Sequence, residues 1–318
     1  MSKRHATYDK ISSKPEQGSF WECFTQLKQA SPTAAFRTDS HHGRAEITTF
    51  VRGLRNAMLI TTLLGILLGV LLGTCGAGGG LLAVPMLILG AGLSPHEAVP
   101  ISLIAICMGA SAGALDGFRR HEVRYRAALL VAACSLPFSL AGLATGRHLP
   151  HTLLQALLLL ILGGTLWQQV WLSEQAERRE ARPVCHVDRH SGRFIWNRST
   201  TVTMSTLGSV MGFTSGLLGV GGGFIAVPWL RRYTALPPTS VFATSLFVIA
   251  LTSFGGVMGA WASGQHPPAA LTTSFSLGVL AGVVCGRLLS PHLREHHSRG
   301  LFALTLALAI VGLALHHA

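Results

Sequence analysis

Apolar residues in this chain form long uninterrupted runs, not the polar-and-apolar faces of helices in water-soluble domains. Leu153 to Leu162, for example, holds almost no polar position, so it lacks the polar face of a solvated helix. Apolar runs of about 20 residues are typical of helices that cross a lipid bilayer. The runs fall at about 57–75, 99–117, 126–146, 152–172, 201–218, 240–262, 268–290 and 300–316. The pattern therefore predicts an all-α, polytopic membrane protein with about eight transmembrane helices.

Composition supports a membrane environment. The chain is 49% hydrophobic and only 12% charged, whereas soluble domains carry about 25% charged residues. The formal net charge of +12 is concentrated at the ends of the apolar runs, as at Arg119, Arg120, Arg124 and Arg126. Basic loops that flank apolar spans are explained by the positive-inside bias of membrane proteins. We therefore expect a lipid bilayer as a partner and no nucleic acid, which would require one basic face on a folded domain.

A glycine-rich motif occurs twice. The segment 76–87 reads GAGGGLLAVPML, and the segment 219–230 reads GVGGGFIAVPWL, 143 residues later (219 − 76 = 143). Each copy follows an apolar run, and each carries Val-Pro at the same offset. Paired, glycine-broken apolar segments in two halves of a chain are the best sequence indication of a transporter's binding site.

Other matches extend the repeat beyond the glycine motif. Ser102-Leu103 corresponds to Ser245-Leu246 at the same shift of 143, and Arg147 corresponds to Arg287 at a shift of 140. We therefore expect two related four-helix halves with glycine-rich breaks. The predicted organisation is a disordered cytoplasmic extension at 1–55, a first membrane repeat at 56–172, a cytoplasmic linker at 173–200 and a second membrane repeat at 201–318.

The charges also favour an orientation. The N-terminal extension, the loop at 118–126 and the linker at 173–200 are all basic, which favours the cytoplasm for each of them. If 57–93 makes one net crossing, with the glycine segment dipping in and returning, the halves run parallel and both termini are cytoplasmic. If Leu81–Leu89 crosses fully, the halves are inverted and 119–126 lies outside. The charge distribution favours the parallel arrangement.

The glycine segments can hold an anion. The first turn of a helix presents unpaired backbone N–H groups with partial positive charge, and glycine lets an anion approach them closely. Hydroxyl groups in the following spans can add further donors, and the prolines interrupt each helix. Alternatively, the glycines serve only close helix packing. The candidate substrate-binding residues are Gly76, Gly78, Gly79, Gly80, Pro85, Ser102, Gly219, Gly221, Gly222, Gly223, Pro228, Thr244 and Ser245.

Other chemistry has little support. Neither glycine segment is followed by the Gly-Lys-Ser/Thr of a phosphate-binding loop. Cys185 and the nearby histidines offer too few ligands for a structural zinc site, and no catalytic constellation stands in one layer, so we expect no metal, no cofactor and no enzyme activity. Arg147 and Arg287 lie near helix ends, where snorkelling or structural pairing explains them. Asp116 is placed to pair with Arg119 or Arg120.

The two copies of Gly-x-Gly-Gly-Gly-x-x-x-Val-Pro, together with the stretch at 243–249 (ATSLFVI), resemble the sulfite exporter TauE/SafE family. The resemblance covers about 57–316. It implies a multi-pass permease of the bacterial inner membrane that carries sulfite, organosulfonates or related sulfur-containing anions. The chain departs from the family in its long N-terminal extension and in the sequence Pro100-Ile101-Ser102, where the second repeat has Ala243-Thr244-Ser245.

Together these observations predict a secondary transporter that exports a small anion by alternating access around a midplane site. Two other classes remain open: an anion channel built from the same pieces, and a membrane scaffold or assembly factor that transports nothing. Homo-oligomerisation also remains open.

Overall fold

The computed structural model of the protein describes residues 43–171, Cys185, 196–234, 236–265, 267–289 and 295–315. For 43–57, 75–77, 169–171 and 295–299 it describes the backbone only. Residues 1–42 of the extension expected at 1–55, and most of the linker at 173–200, lie outside these residues. Residues 43–55, expected within the extension, belong to the first helix.

The described residues form ten α-helices and one 3₁₀-helix. In chain order they are α1 (Gly43–Cys75), the 3₁₀-helix (Gly76–Leu82), α2 (Ala83–Ala91), α3 (Pro95–Arg119), α4 (Tyr125–His148), α5 (His151–Trp171), α6 (Arg198–Leu218), α7 (Gly223–Tyr233), α8 (Pro238–Ala262), α9 (Ala269–Leu289) and α10 (Glu295–Leu315). The expectation of a helical membrane protein is confirmed.

Five of the described helices are long and apolar enough to cross a membrane: α3, α4, α5 (over His151–Gln168), α8 and α9. Met58–Thr74, Gly78–Ala91 and Gly300–Leu315 are shorter apolar helical segments. Helix α6 carries many Ser and Thr residues, whose hydroxyls mostly bond back to its own carbonyls, as Thr206 does with Val202. The count of eight spans stays a prediction.

Helices α1 and α2 form a hairpin through the glycine-rich 3₁₀-helix. A Cβ atom built on Gly79 would meet the backbone of Leu72, and one built on Gly90 would meet the side chain of Leu64. The later residue of the second helix thus pairs with the earlier residue of the first, so α2 runs antiparallel to α1, back toward Met58. The chain therefore enters the bundle along α1 and returns along α2, with the first glycine segment at the reversal.

Two pairs of helices pack backbone against backbone through glycines. In the first pair, Gly65 of α1 lies against Gly278 of α9, and Gly69 lies against Gly282. Both numbers rise together, so α1 and α9 run parallel. In the second pair, between α4 and α6, Gly208 approaches Val131, Gly212 approaches Ser135 and Gly216 approaches Ser139, again in parallel. Small residues let membrane helices approach this closely.

Helices α3 and α8 form the antiparallel centre of the bundle. Leu103 contacts Gly256 near the start of α3, and Gly117 contacts Ala243 near its end. Both helices are largely buried, with 67% of the most apolar window of α3 and 72% of that of α8 covered by protein. This pair therefore carries the central contacts to which the glycine segments attach.

These directions correct the expected orientation of the halves. Helices α3 and α8 carry the matching Ser-Leu motifs, yet they run antiparallel. Helices α1 and α6 precede the matching glycine segments, and they too run in opposite directions. Helix α1 is parallel to α9, which is parallel to α3, since Gly109 contacts Val279 and Gly113 contacts Arg287. Helix α6 is parallel to α4, which is parallel to α8, since Leu136 contacts Gly255 and Leu140 contacts Gly259. The parallel arrangement is therefore wrong. The physical reason is the α1–α2 hairpin, which returns to its starting side and makes no net crossing.

Candidate functional site

The two glycine segments meet beside the middle of α3. A Cβ atom built on Gly80 would lie 3.1 Å from the carbonyl oxygen of Val220. Ile106 packs against both segments: its side-chain carbons lie 3.5 Å from that Cβ position on Gly80 and 2.9 Å from the corresponding position on Gly221. A side-chain carbon of Ile249 in α8 lies 3.3 Å from the same Cβ position on Gly221. Segments far apart in sequence therefore share one buried junction at the crossing of α3 and α8.

The first glycine segment is helical throughout. Residues 76–82 form a 3₁₀-helix that leads directly into α2, so the hairpin reverses direction here without any glycine in the left-handed conformation. Gly79 is buried against the backbone of Leu72, and Gly78 lies against the ring of Phe302, 3.3 Å from its Cβ position. Pro85 is the third residue of α2, where its missing N–H is tolerated.

The second glycine segment is a turn in the left-handed conformation. Gly219, Gly221 and Gly222 have φ angles of 68°, 72° and 69°, which only glycine adopts without strain. Gly219 ends α6, and Gly222 is the N-cap of α7, so Gly223 begins that helix. Pro228 lies inside α7 and supplies no N–H to its backbone ladder. The two copies of the motif thus have different backbone structures.

Ser102 ties the second segment to α3. Its Oγ lies 2.8 Å from the carbonyl oxygen of Gly219 and 2.7 Å from that of Val99, so its single proton is shared between two acceptors. The side chain is fully buried. In this conformation Ser102 fixes the position of the glycine turn.

Thr244 and Ser245 lie elsewhere in the bundle. Thr244 Oγ1 accepts a hydrogen bond of 3.1 Å from the N–H of Arg124, at the loop between α3 and α4. Ser245 donates 2.8 Å to the carbonyl of Phe242 within its own helix. Because α8 runs antiparallel to α3 and Ala243 contacts Gly117, both residues lie beside the end of α3. That end is roughly 20 Å along the helix axis from Ser102. The structure brings Ser102 to the glycine junction, but not Thr244 or Ser245.

Charged residues form a network at one end of α3. Arg287 of α9 pairs with the carboxylate of Asp116, and Arg120 lies 3.2 Å from the same carboxylate. The expected pairing with Arg120 is thus present, while Arg287, from another helix, was not foreseen. Arg147, at the other end of the bundle, donates 3.0 Å to the carbonyl of Ser263. Both sequence-related arginines therefore have structural partners.

Cys185 is the one described residue in the middle of the linker. Its N–H donates 3.0 Å to the carbonyl of Tyr233, and it forms an isolated bridge with Thr234 at the end of α7. Burial raises the pKa of its thiol, and a hydrogen bond with Thr200 offsets part of this rise. Within the described part of the chain, no three His, Cys, Asp or Glu side chains gather as metal ligands would.

Several buried hydroxyls lie outside the set of candidate substrate-binding residues. The hydroxyl groups of Ser139, Ser215 and Ser253 are buried and have no hydrogen-bond partner, whereas Ser135 and Thr252 bond to each other at 3.0 Å. Ser215 is the most informative, because it stands four residues before Gly219 and its carbonyl accepts the N–H of Gly219 at 2.8 Å. The spacing of four residues, which places Ser215 on the same helix face as Gly219, was the sequence signal that could have identified Ser215.

Comparison with known proteins places the chain in a family. The sequence profile of the sulfite exporter TauE/SafE family matches residues 61–313. A probable membrane transporter protein of Xylella fastidiosa (strain 9a5c) is 28% identical over 200 residues, which cover 63% of this chain and 71% of that protein. The probable membrane transporter protein YunE of Bacillus subtilis (strain 168) is 25% identical over 225 residues, covering 66% and 80%. No solved structure matches. Since the profile spans most of the chain, the protein belongs to the sulfite exporter TauE/SafE family.

Proposed function

We propose that the protein is a secondary transporter that exports a small anion, sulfur-containing in the manner of sulfite or an organosulfonate, across the bacterial inner membrane. Family membership and the relatives named as probable membrane transporters support a membrane transporter. The sulfur-containing substrate and the outward direction come from the family description.

The meeting of the two glycine segments is the observation that supports this function. Gly80 and Val220, which belong to separate copies of the motif, lie in contact beside Ile106. Broken helices that meet near the midplane are typical of binding sites in secondary transporters, because irregular backbone is tolerated there when protein or a wet cavity surrounds it. We assign substrate binding to the second glycine turn (219–222), which the first segment and α3 hold from one side through Gly80 and Ser102.

The helix directions support alternating access between two inverted halves. Residues 58–171 and 198–315 carry the matching motifs on helices of opposite direction. Inverted repeats can exchange their conformations, so that a site between them opens first to one side and then to the other. In this proposal, Thr244 and Ser245 lie along the path to one face, while Ser102 lies at the junction itself.

The arginines indicate which face is cytoplasmic. Among the described side chains of 58–315, one face carries the end of α3, the start of α4, the start of α6 and the ends of α7 and α9. Its arginines are Arg119, Arg120, Arg124, Arg126, Arg198, Arg231, Arg232 and Arg287. The opposite face carries only Arg147. By the positive-inside bias, the arginine-rich face lies in the cytoplasm. Met58 in α1 and the end of α10 then face outward, in contrast to the expected cytoplasmic termini.

Reconstitution tests the function. The purified protein in liposomes is offered sulfite, thiosulfate, an organosulfonate, sulfate and a carboxylate, and uptake into the liposomes is measured with and without an imposed proton gradient. We expect saturable flux of one or more sulfur anions, with counter-transport when the same anion is loaded inside. If no anion moves or binds, the transporter proposal fails. Large non-saturating currents would instead indicate a channel.

Two glycine variants distinguish transport from a packing role. Gly222→Ala introduces a side chain at a φ of 69°, and its Cβ would lie 3.1 Å from Met211. Gly163→Ala is the matched control, because no heavy atom lies within 4 Å of its Cβ position. A transporter can stay folded in the membrane as Gly222→Ala and lose flux, whereas a scaffold loses assembly and stability without any flux to lose.

A further inference from the structure

We propose that the anion is held asymmetrically, by the backbone amides of the second glycine turn and the hydroxyl of Ser215, and not by equivalent groups from both halves. This inference rests on the proposed function and assigns the donor set of its site. It adds one residue, Ser215, that the sequence motif does not contain.

The amides of the turn lack protein acceptors. Among the described residues, no backbone or side-chain oxygen accepts the N–H groups of Val220, Gly221 or Gly222, although all three residues are buried. Buried backbone N–H groups are nearly always paired, so three consecutive exceptions call for a partner outside the chain. The turn also leads into α7, an eleven-residue helix whose N-terminal dipole favours negative charge.

Peptide geometry sets the direction of two of these amides. The carbonyl of Gly219 points at Ser102, and the carbonyl of Val220 points at Gly80. In a trans peptide the N–H lies opposite the carbonyl, and the described chain has no cis peptide bond. The N–H groups of Val220 and Gly221 therefore point away from α3 and from the first glycine segment, toward the side of the turn that α6 covers.

Ser215 lies on that covering face of α6. Residues four apart share one face of a helix, so Ser215 lies between Met211, which contacts Gly222, and Gly219, whose N–H bonds the Ser215 carbonyl. Its side chain is 0% exposed, and its Oγ has no hydrogen-bond partner. Ser215 therefore offers a buried hydroxyl without a partner on the helix face beside the turn, and with the three amides it makes a set of neutral donors for a small oxyanion.

The first half has no equivalent set. At the shift of 143, the residue corresponding to Ser215 is Leu72 (215 − 143 = 72), which has no hydroxyl. The first glycine segment is a 3₁₀-helix between α1 and α2, and none of its glycines has the positive φ of the second turn. The first half therefore contributes packing, through Gly80 and Ile106, while the second half contributes the donors.

Binding measurements test this assignment. Wild-type protein, Ser215→Ala and Ser209→Ala in lipid nanodiscs are titrated with sulfite under anaerobic conditions, and separately with sulfate, by calorimetry. Ser209 is the matched control: it lies on the same helix, and its hydroxyl already donates 3.0 Å to the carbonyl of Ser205. Because a hydrogen bond to a charged group is worth more than a neutral one, we expect Ser215→Ala to weaken binding about tenfold or more. Ser209→Ala should bind as the wild type does.

The outcomes separate the inference from the function. If wild type and Ser215→Ala bind with equal affinity, the donor assignment is overturned while the transporter proposal stands. If the wild type neither binds nor moves any anion of the liposome panel, the proposed function fails first. Should Ser215→Ala not fold, Ser215→Cys retains the side-chain size with a weaker donor, and unweakened binding there would equally overturn the assignment.

Discussion

Arg287 on α9 donates to the carboxylate of Asp116 on α3, so an ion pair joins two helices that are distant in sequence. The two side chains are 20% and 32% exposed, which places the pair below the surface of the bundle. Arg120, which shares the carboxylate, is 61% exposed. The ion pair thus connects the central α3–α8 pair to α9, the helix that packs against α1.

Removal of the Asp116 carboxylate should lower thermal stability. We expect Asp116→Asn to cost about 1–2 kcal/mol, less than a fully buried pair, because partial exposure screens the interaction. Arg287→Ala should cost a similar amount, while Arg120→Ala should be close to neutral. The check is the midpoint of thermal unfolding of each purified variant in one detergent. Equal midpoints for Asp116→Asn and wild type would contradict this account.

The glycine contacts between α1 and α9 predict a second effect on stability. A Cβ atom on Gly69 or Gly282 would overlap the backbone of the facing helix, which cannot yield as a side chain can. We expect Gly69→Ala and Gly282→Ala each to reduce the yield of folded, monodisperse protein severely, as overpacking a close helix contact does. Gly164→Ala has open space and should be neutral or slightly stabilising. Size-exclusion profiles after membrane extraction distinguish these cases.

The sequence predicted the helices and the glycine segments because long apolar runs and repeated motifs are local features. It did not predict helix direction, because that depends on whether residues 76–91 cross or return. The return is set by contacts such as Gly79 with Leu72, which join positions that no periodicity relates. The charge pattern led to a wrong prediction here. Because the N-terminal extension is basic, it was assigned to the same side as 118–126, and that assignment favours parallel halves.

The candidate site was predicted in part. Ser102 was chosen for its place after the first glycine motif, and it does reach the second. Thr244 and Ser245 were chosen by the same repeat logic, but the antiparallel register of α8 moves them away from the junction. Ser215 escaped notice because the first half has Leu72 at that position, so a search for matching residues could not find it.

Ser102 should matter more for stability than its repeat counterpart. Ser102→Ala removes a bond from α3 to the carbonyl of Gly219, whereas Ser245→Ala removes only a bond within α8. Hydrogen bonds between membrane helices are worth about 0.6 kcal/mol on average and up to about 1.7. We expect Ser102→Ala to lower the free energy of unfolding by an amount in this range. Denaturation in mixed micelles should find Ser245→Ala near wild type; the reverse order would refute the prediction.

Cys185 should react slowly with thiol reagents. Burial raises the pKa of its thiol, so at neutral pH less thiolate is present than in an ordinary exposed cysteine, and the thiolate is the reactive form. We therefore expect its labelling by iodoacetamide to speed up as the pH rises through and beyond the ordinary thiol range. Mass spectrometry of the labelled peptide gives the rate, and the same peptide in denatured protein is the control. Equal rates in the two states would show that the thiol is accessible.

The inverted helix directions make a prediction about topology. Helix α10 runs parallel to α2, since Gly78 contacts Phe302 and Leu89 contacts Gly312, so α10 ends on the face where α2 ends. That face carries Arg147, and the arginine-rich face lies opposite. A reporter fused after Ala318 should therefore show alkaline phosphatase activity and no green fluorescence.

A fusion in the arginine-rich linker provides the matched measurement. Helix α5 runs parallel to α3, because His96 and His151 at their starts are in ring contact, so α5 delivers the chain to the arginine-rich face. A reporter placed after Ser191 should fluoresce as green fluorescent protein and lack phosphatase activity. The two sites must give opposite results, because α6 to α10 make an odd number of net crossings once α6 and α7 form a returning hairpin like that of α1 and α2. If both fusions fluoresce, the parallel arrangement is restored and the inverted one fails.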